Sequence, residues 1–190
     1  MKKIPLMISA LFLMATTTVN AHGPVRQKIE ESITINAPAT KVWAIIKNYN
    51  DMSWLPAIAK TQAEGGNEVG ATRVLTLKVG GTITEELKAY KANKMSYKYK
   101  ITDISTLKTI QHSGQEEIVP VLPVNNYSAA ISVKVKDDKS EVIWKAAFYR
   151  GYMNNNPPVE LNKETARAAV TKILKAGLEN IKALAENNNP

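Results

Sequence analysis

Four side chains combine reactive chemistry with a shared position on neighbouring predicted strands: Arg73, Glu85, Tyr97 and Tyr99. In "ATRVLTLKV" (71–79) the apolar set Leu75, Leu77 and Val79 shares its face with Arg73. In "TITEELKAY" (82–90), Ile83, Leu87 and Ala89 share theirs with Glu85, and in "MSYKYKITD" (95–103) Met95 and Ile101 flank Tyr97 and Tyr99. Side chains alternate faces along a strand, so all four point toward the apolar side. A carboxylate, a guanidinium and two phenols could do acid–base chemistry on a small organic molecule. A buried charge is costly unless paired, and Arg73 and Glu85 have opposite signs on adjacent strands. The simpler expectation is that they satisfy each other at the rim of a cavity. One carboxylate facing one arginine is weak evidence for catalysis, so no catalytic residue is assigned.

Other chemistries are poorly supplied. The chain has two histidines and no cysteine, which excludes thiol chemistry and the usual zinc spacings. It contains no nucleophile elbow, no phosphate-binding P-loop and no dinucleotide fingerprint, and no cofactor is expected. His22 is a weak metal candidate: as the first residue of a processed chain it would place a free amine beside an imidazole, a pair that binds copper(II). His112 is the only other histidine, and Pro24 removes a backbone amide such a site would use.

The elements that position these residues follow from hydrophobic period. "ESITIN" (31–36) alternates as a half-buried strand. "APATKVWAIIKNYND" (37–51) changes to helical spacing through Val42, Ile45, Ile46 and Tyr49, with Pro38 in the first turn. A second short helical turn runs from Asp51 to Trp54, stopped by Pro56. Three strands then form an antiparallel meander, with Gly80-Gly81 as the first tight turn. "YSAAISVKV" (127–135) and "EVIWKAAFYR" (141–150) form another hairpin, in which Trp144 and Phe148 face the apolar side. A long helix from 163 to about 185 follows Asn162, a good N-cap, and carries the stripe Val170, Ile173, Leu174, Gly177, Leu178, Ile181 and Leu184. The tail from about 186 to 190 should fray.

The fold class is therefore α+β. A half-polar antiparallel sheet must cover its apolar face, and the terminal helix has the matching stripe. A curved sheet wrapped around that helix encloses a space, with the two short helices closing one end. Its expected lining is Arg73, Leu75, Leu77, Glu85, Leu87, Tyr97, Tyr99, Trp144, Phe148, Ile173, Leu174 and Gly177.

The N-terminus has a different character. Lys2 and Lys3 precede an apolar run from Ile4 to Ala15, and Val19-Asn20-Ala21 offers small residues before a cut. This is the layout of a secretory signal peptide over residues 1–21, with one domain over 22–190 and a periplasmic destination. The run is too short to span a bilayer, which needs about 20 residues. The formal charge of +8 has no five-residue basic block. That disfavours nucleic acid and leaves an acidic protein partner open.

"SITINAPATKVWAIIKNYNDMSWLP", the Gly-Gly hairpin with "EEL", and "SEVIWKAAF" resemble the START-like, polyketide cyclase/Bet v 1-like superfamily over essentially the whole processed chain. "AHGPVRQKI", "LPVNNYSAAISV" and "FYRGYMNNNPPVELN" are similar to MxaD-type periplasmic proteins associated with methanol oxidation. The superfamily implies a helix-grip fold with an apolar cavity. The MxaD type implies a non-enzymatic accessory that assists the encounter of quinoprotein methanol dehydrogenase with its cytochrome c acceptor. A carrier or sensor of a small hydrophobic ligand is the second reading, and a cyclase- or dehydratase-like enzyme the third. The segment 104–125 is longer than the family pattern and is expected to form an extra hairpin or flap. Arg150, Tyr152, Met153, Asn154, Asn155 and Asn156, in the stiff loop before the helix, are candidate partner contacts because Arg, Tyr and Met are enriched at interfaces. The competing expectation is a rigid connector that sets where the helix begins.

Overall fold

A computed structural model describes residues 23–187, so residues 1–21, where a signal peptide is expected, His22 and the last three residues lie outside the described part. Nine strands and two α-helices follow in chain order among the described residues, with two short 3-10 turns at Ala92–Lys94 and Val159–Leu161. They are β1 (Gln27–Ile35), α1 (Ala39–Ile46), β2 (Ile58–Glu64), β3 (Thr72–Leu77), β4 (Thr82–Lys91) and β5 (Ser96–Ile104). β6 (Thr106–His112), β7 (Gln115–Pro120), β8 (Val124–Lys136), β9 (Lys139–Arg150) and α2 (Lys163–Glu186) complete the chain. Seven strands form one antiparallel sheet in the order β1-β9-β8-β5-β4-β3-β2. The sheet curves around α2, as the helix-grip reading requires. None of the helices among the described residues is long and apolar enough to cross a membrane.

Local chemistry accounts for most boundaries. Pro38 occupies the N-cap position of α1, where its missing N–H costs nothing. The second helical segment consists of single turns: Leu55 N–H donates to Met52 O and Ile58 N–H to Leu55 O. Asp51 Oδ1 accepts from Ser53 N–H at 2.8 Å at its start. The β3–β4 turn uses Gly80 and Gly81 at φ 94° and 80°, a region that carries no penalty for glycine. β3 ends at Leu77, so Val79 belongs to this turn and is 83% exposed rather than inward. β2 was not anticipated: "IAKTQAE" has little alternation of polarity and its pairing with β3 defines it.

Asn162 caps α2, its Oδ1 accepting from Thr165 N–H at 2.8 Å. The buried face of α2 is Ala166, Val170, Leu174, Gly177, Leu178, Ile181 and Ala185. Leu184 is 38% exposed, a departure from the expected stripe, because the smaller Ala185 takes the inward position of the last turn. Glu186 is still helical and accepts from the Asn36 N–H at 2.8 Å, so fraying does not begin there.

Gly177 sets how closely α2 approaches the sheet. A Cβ built there would lie 2.7 Å from Trp144 Cζ3 and 2.9 Å from Leu55 Cδ1. Alanine favours a helix by about 1 kcal/mol over glycine, but forcing a methyl group into a close-packed core costs about 1–3 kcal/mol. Gly177→Ala should therefore lower stability, or at best leave it unchanged, where an exposed helical glycine would gain. Chemical denaturation of the variant measures the sign.

Candidate functional site

The interior is organised around one ion pair. Arg73 on β3 and Glu85 on β4 are direct cross-strand partners, and both are buried, at 1% and 5% exposure. Arg73 Nε donates to Glu85 Oε2 at 2.7 Å and Nη2 lies 2.6 Å from the same oxygen. Nη1 donates to the backbone carbonyl of Tyr49 at 2.9 Å, tying the segment after α1 to the sheet. The pair therefore lies in the core, not at the rim where the sequence placed it. Tyr49 explains the depth: its ring sits 4.1 Å from the guanidinium carbon and the Tyr99 ring 5.1 Å, so aromatic faces add cation–π stabilisation.

A connected series of rings surrounds that centre. Tyr97 contacts Trp43, Tyr49, Tyr90 and Tyr99, with centroid separations of 6.0 to 6.5 Å. Tyr99 leads to Tyr127 and Tyr127 to Phe148. Trp144 Nε1 donates to Tyr99 Oη at 3.1 Å, and its ring lies 5.4 Å from Trp54. Tyr49 and Tyr127 belong to this centre although neither is among the expected lining residues. Strand parity shared with Ala129 and Ile131 was a signal for Tyr127. Tyr49 stood in the helical stripe, with nothing to pair it to Arg73.

The space left between sheet, α2 and the Met52–Ile58 turns is a cavity of about 40 Å³. Of the expected lining, Leu75, Leu77, Glu85, Tyr99, Trp144 and Ile173 form its wall, joined by Met52, Leu55, Tyr127 and Val170. Arg73, Leu87, Tyr97, Phe148, Leu174 and Gly177 do not line it; they are packed in the core around it. The reason is volume: the rings and the ion pair fill the hollow that strand parity alone leaves open. A cavity of this size holds a few water molecules, whereas pockets for drug-sized ligands run to about 300–1,000 Å³.

Protonation follows the burial. Desolvation pushes the Glu85 carboxyl above the usual range, and the Arg73 charge and hydrogen bond offset this only in part. Burial works against the Arg73 cation, but Glu85 and the surrounding tyrosines more than compensate, so its pKa rises and it stays charged. Burial raises the phenols of Tyr49, Tyr99 and Tyr127, and pushes Tyr97 up to about 12 against some relief from Arg73. Both Arg73 contacts fall on Glu85 Oε2, which leaves Oε1 as the carboxylate oxygen able to meet a molecule in the cavity.

The loop candidates form a second region. Arg150 Nε donates to Tyr152 O and its Nη2 to Asn154 O, both at 2.7 Å. Its guanidinium thus holds the loop from within. Tyr152 is half-buried with its ring against His112, while Met153 and Asn154–Asn156 are exposed. The segment 104–125 supplies the expected hairpin, β6–β7, as a separate two-stranded sheet. It leans on the loop: His112 Nε2 lies 2.7 Å from Asn156 O and Lys108 pairs with Glu160 at 3.3 Å. Among the described residues no cluster of three or more His, Asp or Glu side chains could hold a metal ion.

Two outcomes follow from the buried centre. Glu85→Leu alone leaves an unpaired buried cation and should cost about 3–5 kcal/mol, whereas Arg73→Met with Glu85→Leu should recover most of that loss. Urea denaturation of both singles and the double completes the cycle. A phenol whose pKa is raised by folding stabilises below its unfolded value of 10.0 and loses that contribution as pH climbs through the folded value, about 12 for Tyr97. Melting temperature should fall steeply between these limits, and less steeply in Tyr97→Phe.

Residues 26–186 match the family model described as polyketide cyclase / dehydrase and lipid transport. No curated protein matches the chain. Among solved structures, it is similar to an uncharacterized protein from Bacillus thuringiensis, with 26% identity and a TM-score of 0.64 over 84% of this chain and 98% of that one. It is likewise similar to the protein XoxI from Bacillus cereus, with 26% identity and a TM-score of 0.63 over 83% and 94%. The aromatase/cyclase ZhuI from Streptomyces sp. R1128 shares the fold at 16% identity, with a TM-score of 0.64 over 85% and 94%. With a helix-grip architecture and a family match over nearly all of its described length, the chain belongs to the polyketide cyclase / dehydrase and lipid transport family.

Proposed function

We propose that this chain is a periplasmic, non-enzymatic accessory protein of methanol or related alcohol oxidation. In this reading residues 1–21 are removed as a signal peptide, and the protein assists the interaction of a quinoprotein methanol dehydrogenase with its cytochrome c acceptor. The single observation that carries the choice is the interior volume: about 40 Å³ is left around the Arg73–Glu85 pair. An interior so filled favours work done at the surface over transport of a bulky ligand. The pathway itself rests on the resemblance of "AHGPVRQKI", "LPVNNYSAAISV" and "FYRGYMNNNPPVELN" to MxaD-type proteins.

A carrier or sensor is the second reading. It is favoured by the apolar wall of the cavity and by Glu85 and Tyr99 at its polar side. It requires α2 or the Met52–Ile58 turns to move outward to admit a larger molecule. Native mass spectrometry of protein isolated from its own host separates the two, because a stoichiometric bound small molecule would favour the carrier.

The accessory reading is checked by adding the purified protein to methanol dehydrogenase and cytochrome c over a range of ionic strengths. Turnover should rise at low salt, and the stimulation should fade as salt screens the charges. Turnover and complex formation that never respond to the protein would rule it out.

A further inference from the structure

The outer face of the sheet carries a feature the interior does not explain. Cross-strand register places Lys28, Ala147, Ser128 and Lys100 in one row across β1, β9, β8 and β5. The next row holds Glu30, Lys145, Ala130 and Lys98. In the first row lysines on β1 and β5 flank small residues at the centre; in the second, Lys145 on β9 stands beside Ala130, with Glu30 on β1 and Lys98 on β5 at the flanks. The result is a trough of about 590 Å³, floored by Ser128, Ala130 and Ala147 and edged by Lys28, Lys88, Lys98 and Lys145 against one carboxylate, Glu30. Neighbouring strands lie about 4.8 Å apart, so the Lys145 and Lys98 backbones stand roughly 10 Å apart across the floor.

The charges along the edges are not all used internally. Lys145 pairs with Glu30, and Lys88 and Lys100 share Glu86. Lys28 and Lys98 make no ion pair among the described residues, and both are exposed. Arg26 closes one end. Its guanidinium lies 5.3 Å from the centre of the Tyr149 ring and donates to Ser128 Oγ and Ala147 O. No large apolar side chain projects from the floor to enter a bilayer, and the face is hollow where a flat membrane would need it level. Several spaced carboxylates on a protruding segment match both the shape and the charge.

We propose that this trough is a docking surface for an acidic segment of a partner protein. The proposal rests on the accessory reading for the partner's identity and adds the face that partner meets. It moves the principal contact away from Arg150, whose guanidinium is committed to its own loop. Association at such a surface is steered by charge and weakens with salt.

The test uses a glutamate-rich peptide as probe and compares two double variants of equal charge change. Lys28→Glu with Lys98→Glu alters the trough; Lys172→Glu with Lys175→Glu alters the outer side of α2. Titration of isotope-labelled protein at low salt should shift amides of β1, β5, β8 and β9 around Ser128 and Ala130. The trough variant should bind at least about tenfold more weakly, and the helix variant less than about twofold. Equal losses in both variants, or shifts centred elsewhere, would overturn the proposal. So would binding to anionic phospholipid vesicles with the same lysine dependence and no response to peptide. Stimulation of dehydrogenase turnover that survives the trough variant would remove this face and leave the accessory reading standing. Peptide binding at the trough without any effect on turnover would do the reverse.

Discussion

A guanidinium in the middle of a β-sheet core is the constraint to which the rest of this molecule answers. Removing Arg73 from water carries a large desolvation cost, and the pair with Glu85 offsets it only if geometry and remaining donors are satisfied. The geometry is met and the Nε and Nη1 donors are satisfied, while Nη2 lies 2.6 Å from Glu85 Oε2 without a directed hydrogen bond. Cross-strand register brings Glu85 opposite, the carbonyl of Tyr49 takes Nη1, and the faces of Tyr49 and Tyr99 cover the cation. Each partner comes from a different element. Satisfying one side chain therefore fixes β3, β4, β5 and the segment after α1 relative to one another.

The same arrangement decides what the interior can hold. Rings recruited to the charge occupy the space that a curved sheet and a helix would otherwise enclose. Gly177 then lets Trp144, Trp54 and Leu55 press directly against the α2 backbone. Ion pair, ring series and glycine contract the hollow together, which is why a fold suited to containing ligands is here nearly solid. The polar side of what remains is a carboxyl with a raised pKa beside phenols held neutral. The Glu85 carboxylate, paired with Arg73, can accept hydrogen bonds there, and the phenols can donate them.

Outside the core, the β6–β7 hairpin and the loop before α2 support one another. The β6–β7 hairpin rests on the loop before α2 through His112 and Lys108, and that loop is braced by Arg150 and by Thr165 Oγ1 donating to Val159 O at 2.6 Å. Pro157 and Pro158 restrict it further. The loop thus behaves as a connector that places the start of α2, while still exposing Met153 and three asparagines. Its polar character follows from this use: side chains and carbonyls that brace a loop at the surface must find partners or water.

Much of the fold was legible in the residues themselves. Two-residue alternation placed Arg73, Glu85, Tyr97 and Tyr99 on the inner face, helical spacing outlined α1 and α2, and Asn162 and Gly80-Gly81 marked boundaries. These signals are local, because backbone geometry repeats every two or 3.6 residues whatever lies across the core. What failed was of another kind. The weakly patterned β2, the exposure of Leu184, the depth of the ion pair and the absence of half the expected residues from the cavity wall all depend on distances between elements far apart in the chain. The sequence by itself determined the face of most side chains within regular elements, but not of Val79 in a turn, Ala89 beyond a β-bulge or Leu184 in the last helical turn. Only tertiary packing decided how much space the inward ones leave, because close packing is a property of volumes brought together by the whole fold and has no period along the chain.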